Sequence, residues 1–124
     1  MRKLTPGSDP AEAARITLEE AERLLAAAGQ HSVAVFEHGT LQVKLYAPRG
    51  RDAQTPHARD EIYLVARGRG WFVNEGRRHP FEPHDVLFAR AGAAHHFEDF
   101  SDDSLVWVFF YGPEGGEGDG ASDP

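Results

Sequence analysis

Three residues in this chain combine side-chain type and spacing in a way that suits metal chemistry. His57 sits in a polar loop, and Glu61 follows four residues later at the mouth of the apolar run Ile62-Tyr63-Leu64-Val65-Ala66, which Gly68 and Gly70 close. Side chains alternate along a strand, so Glu61, Tyr63 and Val65 share one face. A carboxylate at the start of a buried strand is expensive unless something positive binds it. Downstream, in Arg90-Ala91-Gly92-Ala93-Ala94-His95-His96-Phe97, a glycine turn delivers His95 to the start of another strand. Neutral imidazole and carboxylate together suit Fe, Mn, Ni, Cu or Zn, and two histidines with one carboxylate make a three-point facial site with open positions. Asp60 competes with Glu61 for the inward direction, but the following alternation groups Tyr63 and Val65 with Glu61. The same parity sends Phe97 and Asp99 inward with His95 and turns His96 away.

The spacing of these residues resembles the two sequence motifs of the cupin superfamily, over roughly Val33 to Pro113. In the first motif Gly50 opens, Thr55-Pro56-His57 takes the place of His-x-His, and Glu61 and Gly68 complete it. In the second, His84-Asp85 precedes the short apolar strand Val86-Leu87-Phe88-Ala89; Arg90-Ala91-Gly92-Ala93-Ala94-His95 and Asp99 follow. Thr55 stands where a first histidine is usual, Arg90 replaces proline, His84 replaces glycine and Asp99 replaces asparagine. The resemblance implies an all-β fold, a double-stranded β-helix or jelly-roll barrel with one N-terminal α-helix. It also implies one divalent ion (Mn, Fe, Ni or Zn) held by His57, Glu61 and His95, with Thr55 or Gln54 adjacent as a possible fourth donor. Two functions fit: a metal-dependent enzyme of dioxygenase, isomerase, epimerase or lyase type acting on a small organic molecule, or a non-catalytic module that binds a metal or ligand. Whether the chain is an enzyme stays open, and no catalytic residue is assigned. Tyr63, Asp99 and Tyr46 are the candidates for an inward general base.

Other chemistries have less support. The chain has no cysteine, so disulfides, thiol catalysis and Cys-based zinc sites are excluded. Ser101 and Ser104 lie in an acidic turn, outside any nucleophile-elbow context. Glu61 with Asp99 is the only inward carboxylate pair. Gly68-Arg69-Gly70 lacks the helix and lysine of a phosphate loop and reads as a tight strand turn. His31, His38, His79 and His84 read as exposed polar residues at strand ends and turns. Arg51, Arg59 and Arg90 flank the motif loops and could draw a carboxylate-bearing substrate, although solvated surface charge is the commoner role.

The elements that must position these residues follow from the pattern of the chain. Residues 1–14 read as a loose arm, residues 15–113 as one domain, and residues 114–124 as a disordered Gly-rich acidic tail. A helix is expected over Leu18 to Ala28, with Thr17 as N-cap, Glu20 completing a capping box and Gly29 as the stop. Its apolar stripe would be Leu18, Ala21, Leu25 and Ala28. From His31 the period changes to two, giving strands at Ser32–Glu37, Leu41–Ala47, Glu61–Ala66, Gly70–Asn74, Arg77–Phe81, Asp85–Ala89, His95–Asp99 and Leu105–Tyr111. Tyr46, Tyr63, Trp71, Phe72, Phe88, Phe97 and Trp107 would mostly be core.

Leu105–Tyr111 is apolar on both faces and must be covered twice, by the helix or by a second subunit. A homodimer is expected. With 124 residues, a net charge of −7 and a pI near 5.4, nucleic acid is a poor partner. No run approaches membrane-spanning length or reads as a signal peptide, so the cytoplasm is the default location.

Overall fold

The computed structural model describes residues 15–52 and 55–118. The helix α1 runs Leu18–Ala28, with Thr17 Oγ1 accepting from Glu20 N at 3.0 Å and Glu20 Oε1 accepting from Thr17 N at 3.0 Å. Such a cap contributes about 1 kcal/mol. Gly29 ends the helix at φ 67°, a left-handed position that glycine takes without strain. The buried stripe differs from the expected one at its end. Ala21 is buried, and Leu18, Leu24 and Leu25 pack on the sheet, whereas Ala28 is exposed. No described helix is long and apolar enough to cross a membrane.

Eight strands follow: β1 Ser32–His38, β2 Leu41–Tyr46, β3 Asp60–Arg67, β4 Gly70–Asn74, β5 Arg77–Phe81, β6 Val86–Ala89, β7 His95–Glu98 and β8 Leu105–Tyr111. They form a five-stranded sheet, β1-β2-β8-β3-β6, and a three-stranded sheet, β5-β4-β7, and these neighbouring strands pair antiparallel. The two sheets face each other as a jelly-roll barrel, as expected. Between them lies one core of Tyr63, Val65, Phe72, Phe81, Leu87, Ala89, Phe97, Val106 and Val108. A second core forms outside the large sheet, where Val33, Val35, Val43, Leu45 and Leu105 meet the helix. The two faces of β8 therefore serve two cores: Val106 and Val108 look inward, while Leu105, Trp107 and Phe109 look outward.

Two expected directions are corrected. Strand β7 stops at Glu98, and Asp99 adopts φ 50°, which ends the alternation and turns its side chain out to Arg78. Phe88 is 48% exposed on the outer face of β6 instead of lying in the core. The Gly68–Gly70 turn joins β3 to β4 with no helix after it, and packs against the 100–104 turn through Arg69 N donating to Ser101 Oγ at 3.0 Å. The arm at residues 1–14 and the end of the tail, 119–124, lie outside the described residues. In residues 114–118, Gly115 N donates to Ala58 O at 2.7 Å and Glu117 N to Asp60 Oδ2 at 2.9 Å.

Candidate metal centre

Two strands and one loop bring His57, Glu61 and His95 together. Glu61 is the second residue of β3, opposite Ala89 of β6 and Phe110 of β8. His95 opens β7, and His57 lies in the loop before β3. The two loops are tied directly: Gly92 N donates to His57 O at 2.8 Å, and Ala91 N donates to Asp60 Oδ1 at 2.8 Å. Asp60 is therefore buried as a loop clamp facing away from the cluster, which agrees with the parity that selected Glu61.

One ligand atom from each residue lies within 4.8 Å of the others. His95 Nε2 is 3.0 Å from Glu61 Oε1, and His57 Nε2 is 3.8 Å from the same oxygen. Donors around one ion at ~2.1 Å stand about 3.0–3.5 Å apart, so the His95–Glu61 separation fits and His57 would have to move inward. His95 Nδ1 lies 2.9 Å from Ala93 O, which makes that nitrogen the donor. In the neutral ring, Nε2 then presents a lone pair toward the carboxylate. Both Nε2 and Glu61 Oε1 are buried, and neither is aligned in a hydrogen bond. Two buried acceptors facing each other at 3.0 Å require a cation or a proton between them. The donor set fits a divalent ion.

The electrostatics sort the two histidines. For His95, burial opposes the charged ring, but contact with Glu61, the Ala93 carbonyl and the charges of Glu61 and Asp52 outweigh it and raise its pKa. For His57, burial lowers the pKa; Glu61 offsets part of this, and His95 and Lys44 reinforce it. His57 is thus neutral and ready to ligate near neutral pH. In the metal-free protein, the raised His95 stabilises the fold below the unfolded value of about 6.5, and that contribution fades as pH rises through its folded pKa. The lowered His57 acts oppositely, contributing above about 6.5 and losing its contribution as pH falls. A metal must displace the His95 proton, so affinity for Mn(II) is expected to climb as pH rises from about 6 to about 8. A flat profile in a Mn(II) titration over that range would contradict ligation through His95.

The cluster opens through His57, whose side chain is 35% exposed, whereas those of Glu61 and His95 are 2% and 1% exposed. The His57 ring rests edge-on against Phe110, with centroids 5.0 Å apart, and Tyr63 and Phe72 flank His95. The pocket in front measures about 120 Å³ and is lined by Ser32, Lys44, Tyr46, His57, Glu61, Tyr63, Val108 and Phe110. A larger depression of about 520 Å³, lined by residues 50–52 and 96–99, contains none of the three and is an open charged groove. His57 and Glu61 both line the smaller pocket.

Asp52 and Lys44 are inner polar residues that the sequence pattern does not single out. Asp52 is buried, accepting from Phe97 N at 2.7 Å and from the Tyr46 hydroxyl. Burial, and next the Asp52 carboxylate, push the Tyr46 pKa well up, so its phenol keeps its proton. Of the candidate bases, Tyr63 is 1% exposed and packed in the core, and Asp99 points to solvent. Thr55 is exposed, and Gln54 lies outside the described residues. His96 turns away to Glu98 as expected, at 3.1 Å, and His31, His38, His79 and His84 are exposed. Arg90 pairs with Glu75 and Arg51 is exposed, while Arg59 bonds Thr40 O and lies over the Phe110 ring at 5.9 Å.

Comparison with known proteins bears on the family and the fold. The family model described as Cupin domain matches residues 42–111. An uncharacterized protein of Streptomyces coelicolor is 34% identical over 99 residues, covering 78% of this chain and 94% of the relative. The structure of KdgF from Halomonas sp. superposes with TM-score 0.57 at 22% identity, covering 66% of this chain and 78% of that one. A chain from crystal structures of DMSP lyases gives TM-score 0.54 at 24% identity over 64% of this chain, which spans only 42% of that protein. These structural likenesses concern the fold.

Proposed function

This chain belongs to the cupin superfamily, and from that premise we propose that His57, Glu61 and His95 hold one divalent ion, Mn, Fe, Ni or Zn, which presents open positions to a small organic molecule. The observation that carries this reading is the buried pair Glu61 Oε1 and His95 Nε2, 3.0 Å apart with no aligned hydrogen bond. The ion would supply Lewis-acid or oxygen-activating chemistry. The chain's own residues shape the rest: Phe110 and Val108 wall the pocket, Tyr63 and Phe72 hold the His95 ring, and Tyr46 offers a polar edge fixed by Asp52. We place the chemistry in the dioxygenase, isomerase or lyase class. A non-catalytic metal- or ligand-binding module is the second reading, favoured by the outward Asp99 and the core position of Tyr63, which leave few bases in the pocket. Elemental analysis of protein purified without a nickel column tests the site. About one equivalent of a transition metal, or stoichiometric uptake on titration, is expected; failure to take up any of the four metals would refute it. Turnover by the loaded protein separates the two readings.

The proposed setting is the cytoplasm, with a small-molecule ligand and no nucleic-acid or membrane partner. A second copy of the chain is the proposed macromolecular partner. Cross-strand pairing sets Ile62 beside Phe88 and Leu64 beside Val86 on the outer face, where Val86 is 66% exposed. The helix packs chiefly on β1 and β2, so this end of the face is left apolar and open. Light scattering is expected to give twice 13.7 kDa, and Phe88→Asp to give the monomer. A 13.7 kDa particle from the parent at micromolar concentration would overturn the dimer.

A further inference from the structure

Lys44 lies where a metal pocket gains nothing from it. On β2, Gln42, Lys44 and Tyr46 pair with Phe110, Val108 and Val106 of β8. Val106 and Val108 belong to the inner core, so Lys44 projects from the face of β2 that lines the barrel interior. It lines the 120 Å³ pocket together with His57, Glu61 and Tyr46. It also lines the neighbouring groove with Ser32, Glu37 and Gln42, which places it at the mouth.

An ammonium beside a bound dication adds repulsion. The loaded site would carry two positive charges from the ion and one from Lys44. Glu61 is the carboxylate among the residues lining that pocket, and the ion would take it up, which leaves Lys44 as the wall cation that an anionic group on the ligand would meet. The pocket of about 120 Å³ suits a small ligand. Tyr46, whose proton is held by Asp52, offers its oxygen as an acceptor on the same wall and suits a hydroxyl on the ligand.

We infer that the site takes a small monocarboxylate, whose carboxylate is recognised by Lys44 at the pocket mouth while a neighbouring oxygen reaches the open metal positions. Lys44 is thus a specificity residue. This inference rests on the proposed metal site for the second contact, while the Lys44 contact stands on the pocket alone.

The test uses the full chain loaded with Mn(II), titrated calorimetrically with lactate and pyruvate and with their neutral amides, lactamide and pyruvamide. The parent is expected to bind at least one acid tenfold or more tightly than its amide. Lys44→Met is expected to erase that preference, leaving amide binding unchanged and Mn(II) affinity equal or tighter. Lys44→Arg is expected to keep most of the preference, which a purely structural role for the lysine stem would not require. Equal binding of acid and amide by the parent, no binding of either acid, or a preference that survives Lys44→Met would overturn the inference. If the chain takes up none of Mn(II), Fe(II), Ni(II) and Zn(II), the metal reading fails separately. The metal-free protein is then compared by amide chemical shifts, where the acid is still expected to perturb the pocket in the parent but not in Lys44→Met; no difference would overturn the Lys44 reading.

Discussion

Glu61→Gln is expected to fold normally and to lose its divalent metal by about a hundredfold or more, which corresponds to ~2.7 kcal/mol. The amide removes the negative charge that one ion would share with two imidazoles, and it is a poorer donor. It also has an N–H to offer. His95 Nε2, left without an aligned partner 3.0 Å from the carboxylate oxygen, would gain a hydrogen bond from that amide. At a pH high enough for His95 to be neutral, the metal-free variant should therefore melt at or above the metal-free parent, since a buried carboxylate is replaced by a neutral group that completes a pair. His95→Ala should lose metal to a similar degree and also lose stability, because it empties a place between Tyr63 and Phe72. His57→Ala, at the open side of the cluster, should lose metal with little change in melting. Mn(II) titration and thermal melts of the three variants check this pattern. Parent-like metal affinity in Glu61→Gln or His95→Ala would sink the facial-site reading.

The second large effect is on the fold. Gly68→Ala is expected to destabilise the protein by about 3 kcal/mol or more, a large share of a typical domain stability of roughly 5–15 kcal/mol. Gly68 has φ 97°, a backbone position that costs a side-chain-bearing residue about 1–3 kcal/mol. A Cβ there would meet Ser104 Cα at 2.6 Å and Ser104 Oγ at 2.5 Å. Ser104 is fully buried, so its backbone has no room to retreat, and overpacking adds about 1–3 kcal/mol. Gly39→Ala is the control: φ is 59° and nothing lies within 4 Å, so about 1 kcal/mol is expected. Urea unfolding compares the two. Equal losses would mean that close contact between the 68–70 and 100–104 turns contributes little.

The helix was legible because its start and stop signals are local: Thr17, Glu20 and Gly29 each act within one turn. The cluster of His57, Glu61 and His95 was legible because spacing within two short motifs fixes which side chains meet. Direction failed where alternation carries no information. Val86-Leu87-Phe88-Ala89 is apolar throughout, so nothing in its residues says that Phe88 faces out. Parity from His95 to Asp99 failed because the strand ended one residue early, at a left-handed backbone angle that sequence spacing does not show. Lys44 was overlooked for a different reason. Leu41, Val43 and Leu45 alternate with Gln42, Lys44 and Tyr46, and in a strand covered on both sides the polar set can face the interior. Here the apolar set meets the helix-side core and the polar set lines the pocket. Asp52 sits in an irregular loop, and its partner Phe97 N is 45 residues away.

The central place of β8 bears on how the chain acquires its structure. β2 and β3 are consecutive in sequence, yet β8 lies between them, pairing Val43 with Phe109 on one side and Ile62 with Phe109 on the other. Until residues 105–111 emerge from the ribosome, the large sheet exists only as two separated pieces with unpaired edges. The helix-side core then lacks Leu105, Trp107 and Phe109, and the barrel lacks Val106 and Val108. Closing loops this long before the contacts form is slow, which makes barrel closure a late event that follows the last strand. During synthesis the exposed edges of β2 and β3 are open to pairing with other nascent chains.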